Sequence, residues 1–90
     1  MQEDPWDDLI PNFYRPGRIL QGRVVGIHNF GLSVELAPGL MGEVHVSEFD
    51  GGMVLGQLVP VRVLRTDREE KKIGLSIKRA TGKRIGGAGV

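Results

Sequence analysis

The sequence predicts an all-β chain, five short strands curled into a small barrel with one helical turn ahead of them. Three observations predict it. Apolar and polar residues alternate at period two over most of residues 18–78, the pattern of strands with one buried face. Fourteen glycines among 90 residues favour tight turns over helices. Short turn sequences separate the alternating runs: Pro38-Gly39, Asp50-Gly51-Gly52 and the charged stretch Asp67 to Lys71.

Taken in order, Asp4-Pro5 is a helix start, with Asp4 as N-cap and Pro5 in the first helical position. Trp6, Leu9, Ile10 and Phe13 follow at helical spacing, and Pro11 limits the helix to a turn or two. The segment reads as a short amphipathic lid in which Trp6 is a packing anchor. Arg15-Pro16-Gly17-Arg18 is a turn. The first strand runs from Arg18 to His28. Leu20 and Val24 share one face and Val25 and Ile27 the other, so a bulge is expected, with Gly22 and Gly26 permitting the bend.

A hairpin follows from Asn29 to Glu48, with Pro38-Gly39 at its tip. Leu32, Val34 and Leu36 alternate with Ser33 and Glu35. On the return, Val44 and Val46 alternate with Glu43, His45 and Ser47, which places Val46 inward and His45 in solvent. The fourth strand, Leu58 to Arg65, turns Val59, Val61 and Val63 inward, with Pro60 at an edge or rim. The fifth, Lys72 to Lys78, turns Ile73, Leu75 and Ile77 in and Lys72, Gly74, Ser76 and Lys78 out. The Gly-rich end beyond Ala80 reads as a flexible basic tail.

The bulk properties restrict function. No cysteine is present, so disulfides and thiolate metal sites are excluded and a reducing cytoplasm is the expected compartment. No apolar run approaches the ~18 residues that span a bilayer, and the acidic N-terminus argues against a targeting peptide. Paired carboxylates, nucleophile–base patterns, metal-ligand spacings and phosphate-binding glycine motifs are all missing, so neither enzymatic activity nor a cofactor is expected. The net charge of +1 hides an asymmetry: nine bases face three acids between Arg62 and Arg84, whereas Met1 to Tyr14 holds four acids and no base. A basic segment of this kind attracts polyanions.

One family fits these residues. The stretch NFGLSVELAPGLMGEVHVSE, with Gly17, Gly22, Gly56-Gln57, Val61, Val63, Asp67, Ile73, Leu75 and Ser76 around it, resembles the RNA-binding repeat named after bacterial ribosomal protein S1. The resemblance runs from about Gly17 to Arg79. Asp4-Pro5-Trp6 and VELAPG look like the repeats of the ribosomal protein itself. It implies the five-stranded OB barrel over residues 17–79, a lid or inter-repeat linker over 1–16 and a tail over 80–90. It also implies binding of single-stranded RNA on the outer faces of the second and third strands, in translation at the small ribosomal subunit. Ribosomal proteins or neighbouring repeats of the same chain are further implied partners.

By that resemblance the RNA contacts fall on Phe30, Ser33, His45, Asp67, Lys71 and Lys72, with Arg23, Arg62 and Arg65 as a secondary basic track. Alternation alone would bury Phe30 beside Leu32, unless Gly31 allows a bulge that turns it out. Asp67 also suits a turn cap. His28 reads as structural. Three departures stand out: Ser33 replaces the second family aromatic, Glu43 replaces an apolar residue, and the stretch from Glu48 to Leu55 lacks the common helical insert. Ser33 and Glu43 favour the alternative of a degenerate repeat that docks a protein of the ribosome or of RNA decay.

Overall fold

The computed structural model describes residue 10 and residues 13–80. The proposed helix start at Asp4-Pro5, the Trp6 anchor and the tail beyond residue 80 lie outside them. Five strands form: β1 (Ile19–His28), β2 (Gly31–Ala37), β3 (Leu40–His45), β4 (Leu58–Asp67) and β5 (Lys72–Ser76). They close into a barrel in the order β1-β2-β3-β5-β4, with β4 pairing back onto β1. All pairings are antiparallel except β3 with β5, where two parallel pairs, Glu43 with Gly74 and Val44 with Leu75, close the seam.

The inward residues are those the alternation names. Val24, Val34, Val61 and Ile73 are completely buried, and Leu32, Val44, Val59, Val63 and Leu75 nearly so. Ile10 and Tyr14 join this core, tied by a 3.0 Å bond from the Tyr14 amide to the Ile10 carbonyl. Phe13 does not follow Ile10 inward. Its ring is half exposed beneath the Arg18 guanidinium, 4.3 Å from the ring centre, where the cation meets the negative face of the ring.

Bulges decide what faces outward. The register of β1 on β2 shifts between Val24 and Gly26, as the switch of apolar face in this strand implied, and Val25 is the extra residue. A second shift between Val63 and Arg65 inserts Leu64 into β4. Strict alternation would send Arg65 inward after Val63; the extra residue pairs it with Gly74 and keeps it exposed.

Two expectations fail at one place. Val46 is not the inward end of the third strand: β3 stops at His45 and Val46–Glu48 form a 3-10 turn, leaving Val46 half exposed. Ser76 is not on the outer face: β5 ends there, and its side chain is fully buried. The cause is a polar link that alternation cannot reveal. The Ser76 hydroxyl donates to Glu48 Oε1 at 2.7 Å and accepts from the Arg79 amide at 2.9 Å, so Ser76 caps the helical turn at residues 78–80. The Ile77 amide donates to the Glu48 carbonyl, and the Arg79 guanidinium lies 3.4 Å from the same carboxylate.

The Ser76 hydroxyl holds the Glu48 carboxyl below its ordinary value of 4.5; partial desolvation opposes this, and the Arg79 and Lys78 cations add to it. A carboxyl with a lowered folded-state pKa stabilises the fold above its unfolded pKa, and that contribution is lost as pH falls through the folded value. Glu48→Gln is therefore expected to reduce the loss of thermal stability between about pH 5 and pH 3. Ser76→Ala removes both bonds and is expected to lower stability by ~1–2 kcal/mol. Denaturant titration across pH reads both effects, and a Ser76→Ala midpoint equal to that of the parent would dismiss the link.

Candidate nucleic-acid interface

The outer side of β3 and β5 carries a groove of about 350 Å³. Phe30, Glu43, His45, Arg65, Asp67 and Lys72 line it, with Leu32, Val44, Ile73 and Leu75 as its apolar floor. Each group arrives for a local reason.

Phe30 sits in the two-residue turn between β1 and β2 rather than in a strand, so the alternation that would bury it does not apply. Its ring is 65% exposed. The turn depends on Gly31, whose φ of +155° is a conformation side chains rarely adopt. A Cβ at this position would also run into the Val44 carbonyl oxygen. Backbone contact across β2 and β3, at the pair Gly31–His45, is thus what lets Phe30 stand over the groove beside His45.

His45 is exposed at the end of β3 and caps the 3-10 turn. Its Nδ1 accepts the Ser47 amide at 3.1 Å and lies 2.8 Å from the Ser47 hydroxyl. With Nδ1 accepting, the neutral ring carries its proton on Nε2, which is left to donate. Lys72 opens β5 and is exposed, paired in register with Asp67 across the β4–β5 hairpin. Asp67 Oδ1 accepts the Glu70 amide at 3.1 Å, the turn-capping role its residue type suggested. Arg65 lies across the backbone of Gly74, which has no side chain to displace it.

The structure therefore gathers Phe30, His45, Asp67, Lys72 and Arg65 around one groove. It does not bring the other candidates to the lining. Lys71 lies in the turn with φ +59°. The Arg23 guanidinium bonds the Gly56 carbonyl at 3.2 Å. Arg62 lines a separate recess with Lys78 and Arg79, adjoining the groove at Ser47 and Glu48. Ser33 bonds a ring nitrogen of His28, and that ring is stacked on Phe30 with centroids 5.0 Å apart and planes 8° apart. His28, read as structural in the sequence, thus packs its exposed ring against the candidate platform. Its parity is that of buried Val24, and the bulge at Val25 is what turns it to solvent.

Among the described residues no cluster of His, Asp or Glu is placed to hold a metal ion, and no helix is long and apolar enough to cross a membrane.

Comparison with known proteins decides the family. The model of the S1 RNA binding domain matches residues 14–78, which include all five strands and every residue of the groove. The chain belongs to the S1 RNA binding domain family.

This S1 domain is 40% identical over 79 residues to the small ribosomal subunit protein bS1 of Staphylococcus saprophyticus, covering 79% of the chain and 20% of that protein. It is 37% identical over 86 residues to a 4-hydroxy-3-methylbut-2-enyl diphosphate reductase of Clostridium tetani, covering 87% of the chain and 13% of the reductase. The chain therefore spans a fifth or less of the length of these relatives. Among solved structures it is similar to GSP13 from Bacillus subtilis, with TM-score 0.67, 36% identity and coverage of 77% of this chain and 58% of that one. A chain of an a/eIF2alpha–aDim2p–rRNA complex from Pyrococcus horikoshii matches with TM-score 0.67 and 30% identity, over 81% of this chain and 49% of the other. The S1 domain has the five-stranded OB barrel that the sequence resemblance implied.

Proposed function

We propose that this S1 domain is a non-catalytic module that binds single-stranded RNA in the groove over β3 and β5, and that it serves translation in the cytoplasm. The observation that carries the reading is Phe30: a large ring, mostly in solvent, on the rim of a groove that also holds an imidazole donor and two cations. A base splayed from a single strand stacks on such a ring, while Lys72, Arg65 and the Nε2–H of His45 reach phosphate oxygens. Its relatives favour this partner, since bS1 is a small ribosomal subunit protein and the Pyrococcus complex contains rRNA.

Three carboxylates, Glu43, Glu48 and Asp67, also line the groove. They weaken the local field, so a lone domain is expected to bind modestly and to gain affinity when linked to neighbouring repeats. The same carboxylates favour a second reading, in which the groove docks a basic segment of a ribosomal or RNA-decay protein.

The test is titration of a labelled single-stranded oligonucleotide at low salt, followed by backbone amide shifts. Shifts centred on Phe30, His45 and Lys72 support RNA; their complete absence at high concentration would rule it out. Lys72→Gln is expected to reduce the dependence of log affinity on log salt by ~0.7, the share of one phosphate contact on a single strand. An unchanged slope places Lys72 off the RNA path.

A further inference from the structure

We propose that His28 is a second stacking platform for RNA, occupying the place that the residue type at position 33 leaves vacant; this rests on the reading of the groove as an RNA site.

Register and chemistry carry the inference. Gly26 and Ser33 are cross-strand partners on β1 and β2, and His28 follows Gly26 on the same face of β1. The imidazole leans back over this pair. Its Nε2 lies 2.9 Å from the Ser33 hydroxyl. A Cβ built on Gly26 would come within 2.9 Å of that same nitrogen and 3.3 Å of Cε1. The ring therefore stands on its Nε2–Cε1 edge above the Gly26–Ser33 pair, whose small side chains leave room for it. One face lies against Phe30, near parallel at 8°. His28 is nonetheless exposed, and these contacts take up one face and one edge of its ring.

The arrangement sets two stacked rings on one surface of the barrel. An aromatic ring at position 33 would need the volume the imidazole now fills, so Ser33 and His28 make one unit: the hydroxyl holds the edge of the ring, and the ring supplies the π-face. Phe30 lines the groove and His28 does not, so His28 continues the platform beyond the groove rim. A strand running along β3 would place one base on the groove side of Phe30 and the next nucleotide on the far side of His28. Base stacking on an imidazole face needs no particular base, so the added contact lengthens the footprint without narrowing sequence choice.

The experiment uses the 90-residue chain and fluorescein-labelled single-stranded oligouridine, read by anisotropy at low salt. His28→Ala is expected to weaken binding by about tenfold, with the amide spectrum unchanged away from β1 and the Phe30 turn. His28→Phe is expected to restore it, as is Ser33→Phe placed in the His28→Ala chain, because either returns a second ring to the same spot. To separate contact from mere support of Phe30, the ring protons of His28 are followed as RNA is added; stacking moves them upfield. The inference is overturned if His28→Ala binds as tightly as the parent while Phe30→Ala does not, or if the His28 ring protons stay still while RNA saturates the groove. A parent chain that does not bind at all overturns the RNA reading itself, a pattern distinct from either.

Discussion

Phe30→Ala is expected to weaken binding of single-stranded RNA by ~1–3 kcal/mol, the worth of one stacked base, and to leave the unfolding midpoint nearly unchanged. The two halves of this expectation test different things. The ring is 65% exposed and its aromatic contact is the His28 imidazole, so removing it empties no core space. A buried phenylalanine would instead lose ~3–5 kcal/mol of stability on truncation. Anisotropy on the oligonucleotide and circular dichroism on the same sample read both quantities. Full affinity with an intact fold removes Phe30 from the RNA path; loss of the fold shows the ring to be a core element after all.

The second large effect lies next door. Gly31→Ala is expected to destabilise the barrel by ~3 kcal/mol or more and lower its melting temperature by more than ~10 °C. Two costs add. Alanine at φ +155° enters a region that side chains avoid. Its methyl group would also clash with the Val44 carbonyl oxygen, which belongs to the β3 backbone paired with β2 and has little room to give. RNA binding is expected to fall further than stability alone explains, because Phe30 is held out by this turn. A Gly31→Ala chain that melts within about 2 °C of the parent would show that the turn relaxes freely.

How much of this was legible in the sequence varies residue by residue. Period-two alternation found the inward sets of β4 and β5, from Val59 to Leu75, since a sheet with one buried face has no other way to pattern its side chains. It misplaced Val46 because a chain can leave a strand between one residue and the next, and the hydrogen bonds of His45 with Ser47 that bend it are invisible in hydropathy. It misplaced Ser76 because burial of a small polar residue depends on a partner 28 positions away, Glu48. Within the groove, parity turned His45 and Lys72 outward, whereas the exposure of Phe30, and the choice of all three as contacts, came from the resemblance. The surroundings of His28 were not legible, because its contacts with Phe30 and Ser33 and its approach to Gly26 are relations between strands that a lone histidine in the sequence does not announce.

The seam between β3 and β5 holds by only two parallel pairs, reinforced by the Ser76–Glu48 bond at its end. His45 stands on one side of that junction and Lys72 on the other. A polynucleotide gripping both side chains would act as a suture across the least secured joint of the cylinder. Tightening of the fold and capture of the ligand then become a single event, each drawing on the other.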